Sequence, residues 1–132
     1  MPGQFECGHC RAALTAPLRP LPDFTLLSEE DRQPHVPAGY YACAAGRYDY
    51  WTSAIGTGNY LLHLGDLYNV KPHPDALRQQ GCCGPAGDEG KNLLCAACGS
   101  EVATAHADCH MAHFAELAPA DVVLITTETP TA

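Results

Sequence analysis

Two short motifs in this chain pair cysteines at a spacing that metal sites and redox sites share. The first is Cys7-Gly8-His9-Cys10, and the second is Cys95-Ala96-Ala97-Cys98. A Cys-x-x-Cys turn can act as a redox-active dithiol, or it can supply two thiolates to a metal ion such as zinc. The surrounding sequence has to decide between these two chemistries.

The residues that flank Cys7 and Cys10 disfavour the redox interpretation. A thioredoxin-like dithiol follows a strand and begins a helix, whose N-terminus lowers the pKa of the thiol. Only six residues precede Cys7, and Pro17 interrupts any helix soon after Cys10. No alternation of strands and helices follows, so the motif is not predicted to have oxidoreductase activity.

The zinc interpretation uses both motifs at once. Zinc takes four ligands in a tetrahedron, and each Cys-x-x-Cys turn places two sulfur atoms near one ion. A filled set of four thiolates leaves no position for water or substrate, so this zinc is predicted to be structural. Closing the long intervening segment 11–94 would contribute about 4–5 kcal/mol through chain entropy. The alternatives are two separate dithiols, or disulfides. The predicted ligands are Cys7, Cys10, Cys95 and Cys98.

A second group of sulfur and imidazole side chains lies close to the second motif. This group is predicted to form a second metal site from Cys82, Cys83, Cys109 and His110. In one regular strand, residues of equal parity share a face, so His106 and His110 would project together, away from Cys109. A single strand therefore cannot present all of them to one ion. A Cys83–Cys109 disulfide and unpaired thiols are the alternatives.

Composition and charge limit the partners. The 132 residues are most simply one domain, predicted over 1–126, followed by a flexible tail over 127–132. A formal charge of −8 repels phosphates and anionic lipids, so nucleic-acid and membrane partners are not expected. The chain shows no secretory signal and no apolar run of membrane-spanning length. Eight cysteines in such a chain indicate a reducing compartment, and the predicted location is the cytoplasm.

The elements that position the cysteines are predicted to be short strands. Frequent glycine and proline, with 12 and 11 copies, favour many turns. The segment 15–22 is predicted to be extended, because its three prolines exclude a helix. The segment 28–39 is predicted to be a surface loop, and 74–80 at most two helical turns. Strands are predicted within 40–51 and over 60–64, 67–70, 92–94, 101–105, 111–117 and 121–126.

A β-rich chain with one Cys-x-x-Cys motif near its start and another late resembles the zinc-binding β-tent fold. Yippee-like proteins, the thalidomide-binding domain of cereblon and methionine-R-sulfoxide reductases share this fold. The resemblance rests on Cys7-Gly8-His9-Cys10 and Cys95-Ala96-Ala97-Cys98-Gly99. The stretch GCCGPAGDEGKNLLCAACGSEVATAHADC is more similar to a group of uncharacterised bacterial zinc-binding proteins. The resemblance implies small antiparallel sheets clipped by a structural four-cysteine zinc site, with long loops and little helix.

The functional residues of those families have no counterpart in this chain. Cereblon-type domains hold their ligand in a cage of tryptophans, whereas this chain has only Trp51. The reductases place their catalytic cysteine between arginine and asparagine, and neither Cys43 nor Cys109 has those neighbours. The sequence therefore predicts a zinc-stabilised binding module for a protein, peptide or small molecule. The alternative is a metal- or thiol-dependent enzyme that uses Cys82, Cys83 and Cys109. The sequence does not indicate which ligand the protein binds or how many chains associate.

Overall fold

The computed structural model of the chain describes residues 2–46, 48–50 and 54–126. Within these ranges the fold is mainly β, which confirms the predicted fold class. Its helical parts are three short 3₁₀ turns, at Phe24–Leu26, Leu64–Asp66 and Ala76–Gln79. None of the helices in the described part reaches the length and hydropathy that a membrane crossing requires. The predicted tail and Trp51 lie outside the described residues.

The described strands form two sheets. In chain order they are β1 (Gly3–Cys7), β2 (Arg19–Pro20), β3 (Tyr40–Cys43), β4 (Tyr60–Leu62), β5 (Val70–Pro72), β6 (Leu93–Cys95), β7 (Glu101–His106), β8 (Phe114–Leu117) and β9 (Val122–Thr126). One sheet pairs β1 with β9 in antiparallel register, from Gly3 opposite Thr126 to Cys7 opposite Val122. The other has the order β2-β3-β4-β8-β7-β6-β5, in which only the β2–β3 pair is parallel.

The predicted strands 92–94, 101–105 and 121–126 are confirmed to within one residue at each end, and the predicted strand 111–117 is confirmed from Phe114 onward. Other segments differ. The predicted strand 67–70 is a strand only at Val70, because Asn69 has a φ of 59°, which a strand does not allow. The segment before Cys7 had no predicted strand but forms β1. The predicted loop 28–39 has no regular structure, yet His35 and Val36 within it are fully buried.

Strand β4 supplies apolar side chains to two core clusters, because consecutive residues of a strand point to opposite faces. Leu62 packs in the first cluster with Phe5 and Val102, and Leu61 packs in the second with Phe114. The first cluster contains residues of both sheets and includes the cysteines Cys7 and Cys95. The first core therefore extends up to the thiols of the candidate metal centre.

Candidate metal centres

Both Cys-x-x-Cys motifs fold into the same tight turn. The N–H of Arg11 donates to the carbonyl of Cys7 at 2.8 Å, and the N–H of Gly99 donates to the carbonyl of Cys95 at 2.8 Å. Arg11 and Gly99 each follow the second cysteine of their motif, and each has a positive φ, of 68° and 81°. The two motifs are therefore structurally equivalent turns, and glycine is the residue that adopts this conformation most readily.

The four cysteine thiols of these turns lie together. The Sγ atoms of Cys7 and Cys98 are 3.7 Å apart, as are those of Cys10 and Cys95. All four Sγ atoms lie within 4.8 Å of one another. A zinc–sulfur bond of about 2.3 Å gives a tetrahedron whose edges are about 3.8 Å, so the cluster has the dimensions of a tetrahedral metal site. We call these four residues the four-thiol cluster.

The four-thiol cluster joins the two sheets. Cys7 is the last residue of β1, in the two-stranded sheet, and Cys95 is the last residue of β6, in the seven-stranded sheet. The Gly8 N–H donates to the carbonyl of Asp121 at 2.9 Å, which fixes the first turn to the residue before β9. An ion bound here would therefore hold one sheet against the other.

Asn69 connects the two turns, a role that the motifs themselves did not reveal. Its carbonyl accepts a hydrogen bond from the Ala96 N–H at 2.7 Å, inside the second turn. Its side-chain amide donates to the carbonyl of Ala13 at 2.7 Å, just after the first turn. Asparagine tolerates the positive φ found here better than most residues, which explains its presence at the junction.

The thiols of the four-thiol cluster differ in acidity. Hydrogen bonds from the side chain and the N–H of Ser100 lower the pKa of Cys98 to about 6. For Cys10, a hydrogen bond from the Ala12 N–H acts to lower the pKa, but desolvation and the neighbouring thiols raise it to about 12. Four thiolates in contact repel one another, so a cation is required for all four to ionise together. Metal binding at this site is therefore coupled to proton release.

A second cluster contains three thiols from two separate segments. The Sγ atoms of Cys82, Cys83 and Cys109 all lie within 4.8 Å of one another, and we call this group the three-thiol cluster. Cys82 and Cys83 are exposed and Cys109 is partly exposed. Hydrogen bonding to Cys83 and desolvation raise the pKa of Cys109 to about 12. Three of the four residues predicted for a second site are thus brought together.

The carboxylate of Asp108 organises the backbone of the three-thiol cluster. It accepts hydrogen bonds from the N–H groups of Cys82 at 3.2 Å, Cys83 at 3.0 Å and Cys109 at 2.7 Å. These bonds, first that from Cys83 and then those from Cys109 and Cys82, lower the pKa of Asp108 to about 2. Asp108 has no signature in the sequence, because an aspartate beside a cysteine shows no role until the 81–87 loop is placed against it.

The histidines near Cys109 have other partners. His106 Nε2 lies 2.8 Å from Oε1 of Glu116, and its Nδ1 lies 3.1 Å from the carbonyl oxygen of Ala86. His113 Nε2 lies 3.0 Å from the carbonyl oxygen of Asp108. His110 is exposed, and within the described residues it does not belong to the three-thiol cluster. Strand β7 ends at His106, so a turn rather than a strand carries Cys109.

Two open depressions lie side by side at the β2 edge of the larger sheet. One has a volume of about 640 Å³ and is lined by Leu21, Pro22, Asp23, Phe24, Thr25, Ala45 and Gly46. The other has a volume of about 510 Å³ and is lined by Pro2, Arg19, Pro20, Pro22 and Tyr40. Pro22 lines both depressions, and we call the two depressions together the proline groove.

The fold and the thiol clusters define a mainly β protein with two groups of cysteines that can each hold a metal ion. Comparison of the chain with protein-family models, with curated proteins and with solved structures gave no match. The function therefore has to be inferred from the geometry described above.

Proposed function

We propose that this protein is a zinc-stabilised binding module of β-tent type, in which the metal maintains the shape of a ligand-binding surface. The observation that carries the proposal is the four-thiol cluster, whose sulfur atoms have the spacing of a tetrahedral metal site and lie at the junction of the two sheets. Soft thiolate ligands in a tetrahedral arrangement favour zinc among the common cellular metals. All four corners are protein atoms, so the metal has no open position for catalysis.

The position of the cluster supports the β-tent resemblance. In that fold a zinc ion pins sheets together through two Cys-x-x-Cys turns, one early in the chain and one late. Here the early turn follows β1 and the late turn follows β6, and the two strands belong to different sheets. The location that we propose is the reducing cytoplasm, where eight unpaired cysteines persist.

The proline groove is the surface that we propose binds the ligand. Its two depressions have volumes in the range of roughly 300–1,000 Å³ typical of ligand sites. Phe24 and Tyr40 supply aromatic surface, while Asp23 and Arg19 supply one charge of each sign. Such a lining suits a peptide or a small molecule that combines apolar and polar groups. The net charge of −8 disfavours nucleic acid and anionic membrane as partners.

The enzyme alternative has less support in the geometry. A thiol- or metal-dependent mechanism needs a general base within reach of the three-thiol cluster. Both ring nitrogens of His106 are occupied by Glu116 and a carbonyl group, and His113 faces the carbonyl of Asp108. These contacts give both histidines structural partners instead of a catalytic one.

A fragment screen by ligand-observed NMR tests the proline groove as the binding surface. Ala45→Arg places a long charged side chain in the larger depression, and we expect it to abolish binding of the fragments that bind the wild-type protein. Leu77→Arg is the matched control, because Leu77 is an exposed leucine in the 3₁₀ turn that follows β5, at the other edge of the sheet. Fragments that bind both variants equally well would refute the groove.

A further inference from the structure

We propose that the three-thiol cluster is a second, exchangeable binding site for a thiophilic metal ion, with one coordination position open to solvent. The site would take Zn(II) or Cu(I), held by the thiolates of Cys82, Cys83 and Cys109. It does not rest on the proposed binding function, because no residue of the proline groove or of the four-thiol cluster belongs to it. Four observations support the site.

The first observation is that the loop carrying two of the thiols is fitted closely against the end of β7. A Cβ atom on Gly84 would lie 2.6 Å from the carbonyl oxygen of Ala107, and one on Gly87 would lie 2.4 Å from Nδ1 of His106. The Ala107 N–H also donates to the carbonyl of Pro85 at 2.8 Å. Glycine permits this approach, and the approach places Cys82 and Cys83 beside Cys109.

The second observation is the position of Asp108. Its two carboxylate oxygens accept the N–H groups of all three cysteines, at 2.7 to 3.2 Å. One side chain therefore fixes the backbone of every proposed ligand, as residues around metal ligands commonly do. It also places a negative charge beside three thiols, which favours a cation over an anionic or neutral ligand.

The third observation is the size of the cluster. A metal–sulfur distance of about 2.3 Å gives a planar three-thiolate site with sulfur atoms about 4.0 Å apart, within the limit of 4.8 Å found here. Thiolates select soft ions such as Zn(II) and Cu(I) over Mg²⁺ and Ca²⁺, which require oxygen ligands. Binding replaces three S–H bonds by three metal–sulfur bonds and releases three protons, without any change of oxidation state.

The fourth observation is the difference in access between the two clusters. Two members of the four-thiol cluster, Cys7 and Cys95, are fully buried and the other two are exposed, whereas the three-thiol cluster has no buried member. Three protein ligands leave a zinc ion one position short of four, and that position faces solvent. Water, a small thiol or the exposed imidazole of His110 can occupy it. An ion here can therefore be exchanged with the surroundings.

The test is a count of bound ions per chain by native mass spectrometry of the reduced protein, loaded with Zn(II) in one series and with Zn(II) followed by Cu(I) in another. We expect two ions in the wild-type protein and one in Cys83→Ser and in Cys109→Ser. Cys43→Ser is the matched control and should keep two, because Cys43 belongs to neither cluster and its Sγ donates to the Gly58 carbonyl. A second ion in the Zn(II) series identifies zinc, and one that appears only after Cu(I) identifies copper.

Alkylation provides a readout that does not require a variant to fold. Bound metal should protect all three thiols of the cluster in the wild-type protein and leave the reactivity of Cys43 unchanged. A Cys83–Cys109 disulfide would instead protect two thiols in the absence of metal and would be reversed by reduction. One ion per chain in both series, or two ions in Cys109→Ser, would overturn the proposal. Neither result would contradict the proposals made for the four-thiol cluster and the proline groove.

Asp108 is a positioning residue in this proposal, and its variants separate its role from general folding. Asp108→Ala removes both carboxylate oxygens and all three hydrogen bonds, so we expect the affinity of the second ion to fall by roughly 10–100-fold. Asp108→Asn keeps Oδ1, which accepts hydrogen bonds from the N–H groups of Cys83 and Cys109. The affinity of the second ion should therefore fall less in this variant. The ion in the four-thiol cluster and the melting temperature should change little in either variant. Equal affinity in wild-type and Asp108→Ala protein would contradict this role.

Discussion

Single residues set the conformation of the two Cys-x-x-Cys turns, and Gly99 and Arg11 show how. They occupy equivalent positions, and both have a positive φ. A residue with a Cβ atom pays roughly 1–2 kcal/mol for this left-handed conformation, while glycine does not. The first turn tolerates arginine there, and Arg11 also forms an exposed ion pair with Glu6 at 2.9 Å. Such a surface pair contributes little stability.

A reciprocal pair of substitutions tests this account of the turns. Gly99→Ala should lower the free energy of unfolding by about 1 kcal/mol, because alanine must adopt the left-handed conformation. Arg11→Gly relieves that strain but makes the unfolded chain more flexible, so its net effect should stay within about 0.5 kcal/mol. Denaturant unfolding of both zinc-loaded variants measures the difference. A Gly99→Ala variant as stable as the wild-type protein would show that the turn has another conformation.

The cysteine ligands could be predicted from the sequence because each Cys-x-x-Cys turn is a local structure. The spacing alone places two sulfur atoms side by side, and two such turns suffice to suggest one ion. Asn69 and Asp108 could not be predicted in the same way. Asn69 bonds to backbone groups at positions 13 and 96, and Asp108 bonds to backbone groups at positions 82 and 83. Only the folded chain brings these groups near the two residues.

Among the elements, the segment 28–39 is anchored by a buried histidine. The Nδ1 atom of His35 lies 2.7 Å from the carbonyl oxygen of Ser28, and its Nε2 atom lies 3.1 Å from the hydroxyl oxygen of Tyr48. A neutral ring with its proton on Nδ1 satisfies both contacts, since the tyrosine hydroxyl then donates to Nε2. Burial lowers the pKa of His35, although the Ser28 carbonyl and the charge of Glu29 oppose this shift.

The buried His35 predicts that stability falls with decreasing pH. The unfolded chain binds a proton near the ordinary value of 6.5, whereas folded His35 binds one only at lower pH. The contribution of neutral His35 to the free energy of unfolding is therefore fully present above pH 6.5. It is lost as the pH falls toward the folded-state pKa, by at most about 1.4 kcal/mol per pH unit. His35→Gln should have a flatter dependence than the wild-type protein when unfolding is measured with saturating zinc. Parallel curves of unfolding free energy against pH for the two proteins would contradict a lowered pKa of His35 in the folded state.

The accuracy of the predicted elements depended on their composition. Residues 101–105 and 121–126 lie in runs of β-branched and apolar residues, and both form strands of at least five residues. Strand β1 is as long as β9, but its sequence GQFEC contains no β-branched residue, and the motif beside it suggested a metal turn instead. His35 lies in a polar segment between two prolines, so its burial depends on ring contacts with Tyr48, Tyr50 and Phe114 that have no local signal.

At the scale of the whole molecule, the four-thiol cluster connects parts of the chain that no short-range contact could hold together. We expect Cys95→Ser to remove the ion and to lower the free energy of unfolding by about 4–5 kcal/mol, the contribution of closing a loop of this length. That loss is comparable with the entire stability of many domains, so we expect the variant to be largely unfolded at 37 °C. Native mass spectrometry and thermal unfolding measure both effects.

The matched control for Cys95→Ser is Cys43→Ser. Cys43 is a partly exposed thiol in β3 that lies outside both clusters, so its replacement should cost no more than about 1 kcal/mol and leave the ion in place. A Cys95→Ser variant that kept its metal and its melting temperature would show that the ion is not bound by the four thiols together.

The pairing of β1 with β9 has a consequence for the order of events during synthesis. Gly3 lies opposite Thr126, and Cys7 and Cys10 meet Cys95 and Cys98, so residues of β1 and the first turn contact residues that are synthesised much later. At roughly 5–20 residues per second, β1 exists for about 6–24 s before its partner strand has been synthesised. Throughout that interval Phe5 has no core around it, and the first two thiols are available to any metal ion or oxidant they encounter.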